Sequence, residues 1–160
     1  MKQLQESFAL VLLDWHPDDQ PGAFGDELLS CGNWVAAARK NLPLLRADVW
    51  IQRFSDLRGA CSALPEGLPL FLSVDLDILS PAVFRTDWDQ GEMDFAQLRE
   101  AISTVCRGRR LLGVDLCGAA GAAPSCDLAQ NAAVLKRLDN FLRQMQAYKS
   151  INDPKAASTI

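Results

Sequence analysis

The chain has 160 residues, of which 49% are hydrophobic and 22% charged, with a formal net charge of -4 at pH 7. That is one domain's worth of chain with enough apolar residues for a real core, and its acidic balance excludes nucleic acid as a partner, because phosphate backbones demand clustered Lys and Arg. No apolar run approaches the roughly 20 residues needed to span a bilayer, and the stretch before Phe8 is too weakly basic for a secretory leader, so no membrane contact and a cytoplasmic location are expected.

In chain order, Phe8-Ala-Leu-Val-Leu-Leu13 is a continuous apolar run suited to a strand covered on both faces, expected over 7–13. It stops at Asp14-Trp15-His16-Pro17-Asp18. The loop over 17–27 contains Phe24 and adds Asp19, Asp26 and Glu27, either a solvated loop or a negative wall favouring a cationic substrate. A short helix is expected over 33–41, stopped by Pro43, then a β-branched and aromatic strand over 47–52 and a helical turn within 55–63 before the Pro65-Glu66-Gly67 break. The second apolar run, 69–75, ends at Asp75-Leu76-Asp77. A loop over 80–91 carries Asp87, Trp88 and Asp89.

Asp94 and Gln97 have the spacing of a variant capping box opening a helix with Phe95, Leu98, Ile102 and Val105 on one face, closed near Gly108. A third strand-like run over 110–116 ends in Asp115 and Cys117, followed by a small-residue loop without a nucleotide-binding pattern. From Ser125 or Asp127 to about Tyr148, Leu128, Ala132, Leu135, Leu138, Leu142 and Met145 give the apolar stripe of a long helix. Residues 1–148 thus read as one α/β domain, a mainly parallel sheet between helices in three layers, and 149–160 as a flexible tail. Four strands leave an edge to be covered, which points to a homo-oligomer or a missing N-terminal piece. Five cysteines without a CxxC pair read as reduced thiols.

Apolar strands that end in carboxylates gather negative charge at the edge of a sheet where α/β proteins place their ligands, and a divalent cation is the simplest compensation. In Asp14-x-His16-x-Asp18 an extended backbone turns alternate side chains to one side, and Asp75-x-Asp77 repeats the alternation. The mixed oxygen and nitrogen donors of Asp14, His16, Asp18, Asp75 and Asp77 suit Mn²⁺, with Zn²⁺ or another divalent ion as the alternative.

These segments carry a family resemblance. Asp14-Trp-His-Pro-Asp18 resembles the DAHxD signature of the ureohydrolases (arginase, agmatinase, formiminoglutamase), Ser73-Val-Asp-Leu-Asp-Ile-Leu-Ser-Pro81 resembles their SxDxDxxDP signature, and Gly113-Val-Asp115 the start of their GxDxxE segment. The resemblance implies an arginase-like fold, shortened at the N-terminus, with two Mn²⁺ ions when the site is complete, bridged by Asp14 and Asp75. Asp18 would complete one site, and His16 with Asp77 the other. It further implies a metal-bound hydroxide attacking a C–N bond of a small guanidino, amidino or amide substrate, with no other catalytic residue assigned, and Asp87, Trp88 and Asp89 in the substrate pocket; a surface turn is the plainer alternative for those three.

The departures from the pattern are specific. None of the thirteen residues before Asp14 is a histidine, so the family's earlier GGDHS ligand has no counterpart here. His16 is the only histidine, Gly118 stands where the family places a substrate-binding Glu, and Ser80 where an Asp precedes the Pro. Three functional readings therefore stay open: a two-metal ureohydrolase-type hydrolase; a single-metal, deacetylase-like amidohydrolase needing only Asp14, His16 and Asp75; and a non-catalytic, truncated arginase-like domain that serves as a binding or assembly subunit.

Overall fold

A computed structural model describes the backbone over residues 4–22, 28–119 and 128–151, with side chains through 145. Strands β1 (Phe8–Leu13), β2 (Leu45–Ile51), β3 (Leu70–Asp75) and β4 (Leu111–Cys117) form one parallel sheet in the order β2-β1-β3-β4. The two most apolar runs take the central places. All six β1 residues are buried, because a central strand of a parallel sheet has neither face nor edge in water. Two strands extend past their predicted ends: β2 begins at Leu45, and β4 runs on to Cys117, which places Asp115 inside the strand.

Alternation along β1 divides the interior into two halves. Ala9, Val11 and Leu13 face the main core, together with Leu70, Leu72 and Val74 of β3. Three helices close that face: α2 (Leu57–Ala63) through Leu57 and Ala60, α3 (Phe95–Val105) through Leu98, Ile102 and Val105, and α4 (Leu128–Ile151) through Val134, Leu138 and Leu142. Leu10 and Leu12 point the other way and meet Val35 of α1 (Trp34–Asn41). Helices therefore lie on both faces, giving the expected three layers. Each buried Leu contributes on the order of 1.5–3 kcal/mol.

The caps follow their local chemistry. Asp94 and Gln97 form the expected box: Gln97 N–H donates to Asp94 Oδ1 at 2.8 Å, and Asp94 N–H donates to Gln97 Oε1 at 3.0 Å. Gly108, at φ +67, supplies the left-handed residue just beyond α3. The α4 stripe is rotated from the one read in the sequence. Leu128 is 63% exposed and Ala132 lies outside, while Asn131 and Val134 turn inward.

Packing against α3 decides that rotation, through Arg137 stacked 4.1 Å over the Phe95 ring and Arg99 4.8 Å over Phe141. Asn131 then grips the loop after β3, donating to the Arg85 carbonyl at 2.7 Å and accepting from its N–H at 3.0 Å. Gln90 ties the same loop internally, donating to the carbonyls of Leu79 and Phe84. The tail expected from 149 begins inside α4, which continues to Ile151; positions 152–160 lie outside the described residues.

Candidate metal centre

The parallel register places Leu13 between Ile51 and Val74, so Asp14 and Asp75 leave their strands side by side at the carboxyl edge. Asp14, His16 and Asp77 converge there. One ligand atom from each lies within 4.8 Å of the other two. His16 Nδ1 is 2.8 Å from Asp77 Oδ2 and 3.8 Å from Asp14 Oδ1. Backbone amides hold the carboxylates in place: His16 N–H donates to Asp14 Oδ1 at 2.6 Å, and Trp15 N–H to Asp77 Oδ1 at 3.1 Å. Trp50 Nε1–H donates to the Asp14 carbonyl at 2.8 Å, fastening the turn to β2.

Asp14 and Asp77 are only 1% and 3% exposed, and neither has a Lys or Arg partner within ion-pair distance among the described residues. Burial is the main reason that the Asp14 carboxyl is pushed up to about 9. Asp77, Asp18 and Asp75 add repulsion, against which the His16 N–H works. Burial and then Asp75 likewise raise Asp77, opposed by Trp15 N–H and His16. Buried carboxylates crowded in this way call for a cation, and the donor set fits one. Bonds of about 2.1 Å to a shared ion would bring adjacent donors to about 3 Å, the spacing that His16 and Asp77 already have.

The other two predicted ligands stand beside this cluster with different partners. Asp18, in the left-handed region at φ 49, accepts from Trp34 Nε1–H at 2.6 Å, while its carbonyl accepts from Val35 N–H at 3.0 Å at the start of α1. Asp75 Oδ1 accepts from Asp77 N–H at 3.0 Å and caps the 3-10 turn Leu76–Ile78. Both remain electrostatic neighbours of Asp14. Asp87, Trp88 and Asp89 lie exposed in the loop after β3, with Trp88 62% exposed, and none of them belongs to the cluster. Of the extra acidic residues after β1, Asp19 is paired with Arg39 at 2.9 Å, while Asp26 and Glu27 lie outside the described residues.

The third strand contributes differently from the sequence reading. Asp115 sits opposite Ser73, one pleat short of the edge, and Cys117 is the residue in register with Asp75. Burial and Asp75 push the Cys117 thiol upward, so it is held protonated. Gly118, at φ +74, passes so close that a Cβ there would lie 1.8 Å from Asp75 Oδ1. Sequence reasoning also missed Trp34 as the anchor of Asp18; an indole sixteen positions away gives no local signal, since only folding brings it within reach.

No family model and no curated protein matches this chain. Solved structures do. An arginase from Medicago truncatula superposes at a TM-score of 0.66 and 17% identity, over 88% of this chain and 52% of that one. A hypothetical agmatinase from Burkholderia thailandensis gives 0.63 and 21%, over 91% and 54%. The fold is that of the ureohydrolases. A T. brucei arginase-like protein, a triple mutant bound with Mn²⁺, gives 0.57 and 15%, over 87% and 52%. The chain thus spans about half the length of these ureohydrolase-fold structures, and the resemblance read in its motifs agrees with the shape of its backbone. Among the described residues, no helix is long and apolar enough to cross a membrane.

Proposed function

We propose that the chain is a metal-dependent hydrolase of the ureohydrolase type, acting on a C–N bond of an amidino or guanidino group. The observation that carries this reading is the convergence of Asp14, His16 and Asp77 at the carboxyl edge of an arginase-like sheet. A bound divalent ion, Mn²⁺ first among those to be tested, would supply an activated water and polarise the group under attack. Asp14, His16 and Asp77 would hold it, with Asp75 and Asp18 in reserve beside them.

The residues themselves do three things. His16 Nδ1 and Asp77 Oδ2 stand 2.8 Å apart, so the two side chains present their donor atoms together. The Trp15 and His16 amides fix both buried carboxylates before any ligand arrives. Residual negative charge at the edge favours a cationic substrate group.

A single-ion site is the second reading, and one observation favours it: among the described residues it is Asp14, His16 and Asp77 that bring ligand atoms within 4.8 Å of one another. The three clustered donors suffice for one ion, and Asp77 then takes the place that the motif spacing gave to Asp75. Elemental analysis after loading with Mn²⁺ or Zn²⁺, followed by urea or ammonia release from guanidino and amidino compounds, tests both. Two ions per chain with turnover supports the ureohydrolase reading. One ion supports the single-metal reading, and no ion on a folded chain removes both in favour of a binding subunit.

A further inference from the structure

The two edges of the sheet are built differently. At one, β2 carries charge in mid-strand: Arg46 donates to Ser7 Oγ at 3.1 Å, and Asp48 is paired with Arg39 at 2.7 Å. Charges placed there discourage a further strand from pairing. At the other edge, β4 has no charge from Leu111 to Val114, those residues are half-buried, and Leu116 is 38% exposed. A Cβ at Gly113 would stand 2.8 Å from the Phe71 ring, so that ring lies over the glycine and carries apolar surface towards the edge.

The backbone of β4 is open on the same side. The Arg110 carbonyl accepts from Leu70 N–H at 2.8 Å, so across the trans peptide the Leu111 N–H points away from β3, and the Leu111 carbonyl points with it. Among the described residues, β3 is the only strand paired with β4. The charges flanking this stretch differ in sign at its two ends: Arg107, Arg109 and Arg110 precede it, and exposed Asp115 follows. Glu6 pairs with Arg110 at the surface, which leaves the start of the strand net basic. Antiparallel pairing of two such strands sets the basic start of each beside the acidic end of the other, whereas parallel pairing sets like charge on like.

We propose that the β4 edge is the interface between two copies of this chain, paired antiparallel about a two-fold axis near Leu112 and Gly113 and joining two four-stranded sheets into one. In such an isologous contact each complementary pair of ends is used twice. Backbone hydrogen bonds and the apolar surface over Leu111–Val114 supply the attraction, and the charged ends set the direction.

Sedimentation velocity of the full chain from about 1 to about 200 μM tests it, because a seven-residue strand is a small interface and calls for affinity in the micromolar range. The wild type should pass from 17.5 kDa to twice that mass. Asp115→Arg alone, and Arg107→Glu combined with Arg110→Glu, should each weaken association by about tenfold. An equimolar mixture of the two variants, one basic at both ends of the strand and the other acidic, should restore it. Leu111→Pro, tolerated at the first position of an edge strand, removes the outward N–H and should weaken association as well. Arg46→Glu, on the β2 edge, should leave it unchanged. The charge substitutions are all at exposed positions, so those variants should fold, which circular dichroism checks. A chain that stays monomeric throughout leaves the edge to a different partner and overturns the assignment. So do charge variants that associate as tightly as wild type, a mixture that stays apart, or an association lost in Arg46→Glu.

Discussion

His16 Nδ1 lies 2.8 Å from Asp77 Oδ2 across 61 positions of sequence, and the contact joins the turn after β1 to the turn after β3. Either side chain alone would be unremarkable at a strand end. Together with Asp14 they form a three-donor cluster that folding builds before a ligand arrives, so its loss should be read first in metal affinity. Asp77→Asn and His16→Ala are expected to weaken Mn²⁺ or Zn²⁺ binding by at least about 10- to 100-fold. Asp18→Asn should weaken it less. Competition with a chromophoric chelator measures all three, and an Asp77→Asn chain that holds metal as tightly as wild type would sink the assignment.

The metal-free chain should lose stability as pH rises. Asp14 has an ordinary value of 3.8 and is pushed up to about 9 in the fold, chiefly by burial. Between those values the folded chain keeps a proton that the unfolded chain releases, so the unfolded state binds fewer protons and the slope is negative. The contribution is complete below the ordinary value and is lost as pH rises through about 9. Thermal melts in chelator from about pH 6 to about pH 9 should therefore fall by several degrees. Saturating metal should oppose the fall, most strongly at the alkaline end, where protons no longer compete for the ligands.

Trp34→Phe removes the indole N–H that Asp18 accepts at 2.6 Å while preserving most of the ring's packing. A hydrogen bond to a charged group is at stake, while the Asp18 backbone carbonyl, which accepts from Val35 N–H at the start of α1, is left in place. Urea denaturation should register a loss of about 1–2 kcal/mol.

Gly118→Ala strains a backbone at φ +74 and drives a methyl into Asp75 Oδ1, 1.8 Å from the ideal Cβ position. A cost of about 1–3 kcal/mol is expected in the melting curve, together with weaker metal retention because Asp75 must move. The same clash means that no side chain fits at position 118 unless Asp75 moves. If Gly118→Ala matches wild type in both measurements, the close approach is not structural.

Ser73 is fully buried in β3, and its Oγ has no hydrogen-bond partner among the described residues. An unsatisfied buried hydroxyl costs free energy that an alanine does not. Ser73→Ala should leave the fold intact and raise stability by about 1 kcal/mol, read as a higher urea midpoint with an unchanged slope.

Local chemistry determined the elements. Continuous apolar runs made Phe8–Leu13 and Leu70–Asp75 central strands, because only a position buried on both faces leaves no use for alternation. Asp94 and Gln97 fixed the start of α3 by their spacing alone. The motif around Asp14 and His16 likewise pointed to the edge of the sheet where the cluster forms.

Tertiary structure decided what sequence spacing leaves open. Strand register put Cys117, not Asp115, beside Asp75, since pairing with β3 continues two residues past the aspartate. Packing against Phe95 and the loop at Arg85 turned Asn131 and Val134 inward and left Leu128 in water. Of the five alternating ligand candidates, folding brings Asp14, His16 and Asp77 within 4.8 Å of one another, while Asp18 accepts from Trp34, sixteen positions away, and Asp75 from the nearby Asp77 amide. A periodicity says which side of the backbone a residue faces, but which neighbour it meets there depends on chain segments that only folding brings together.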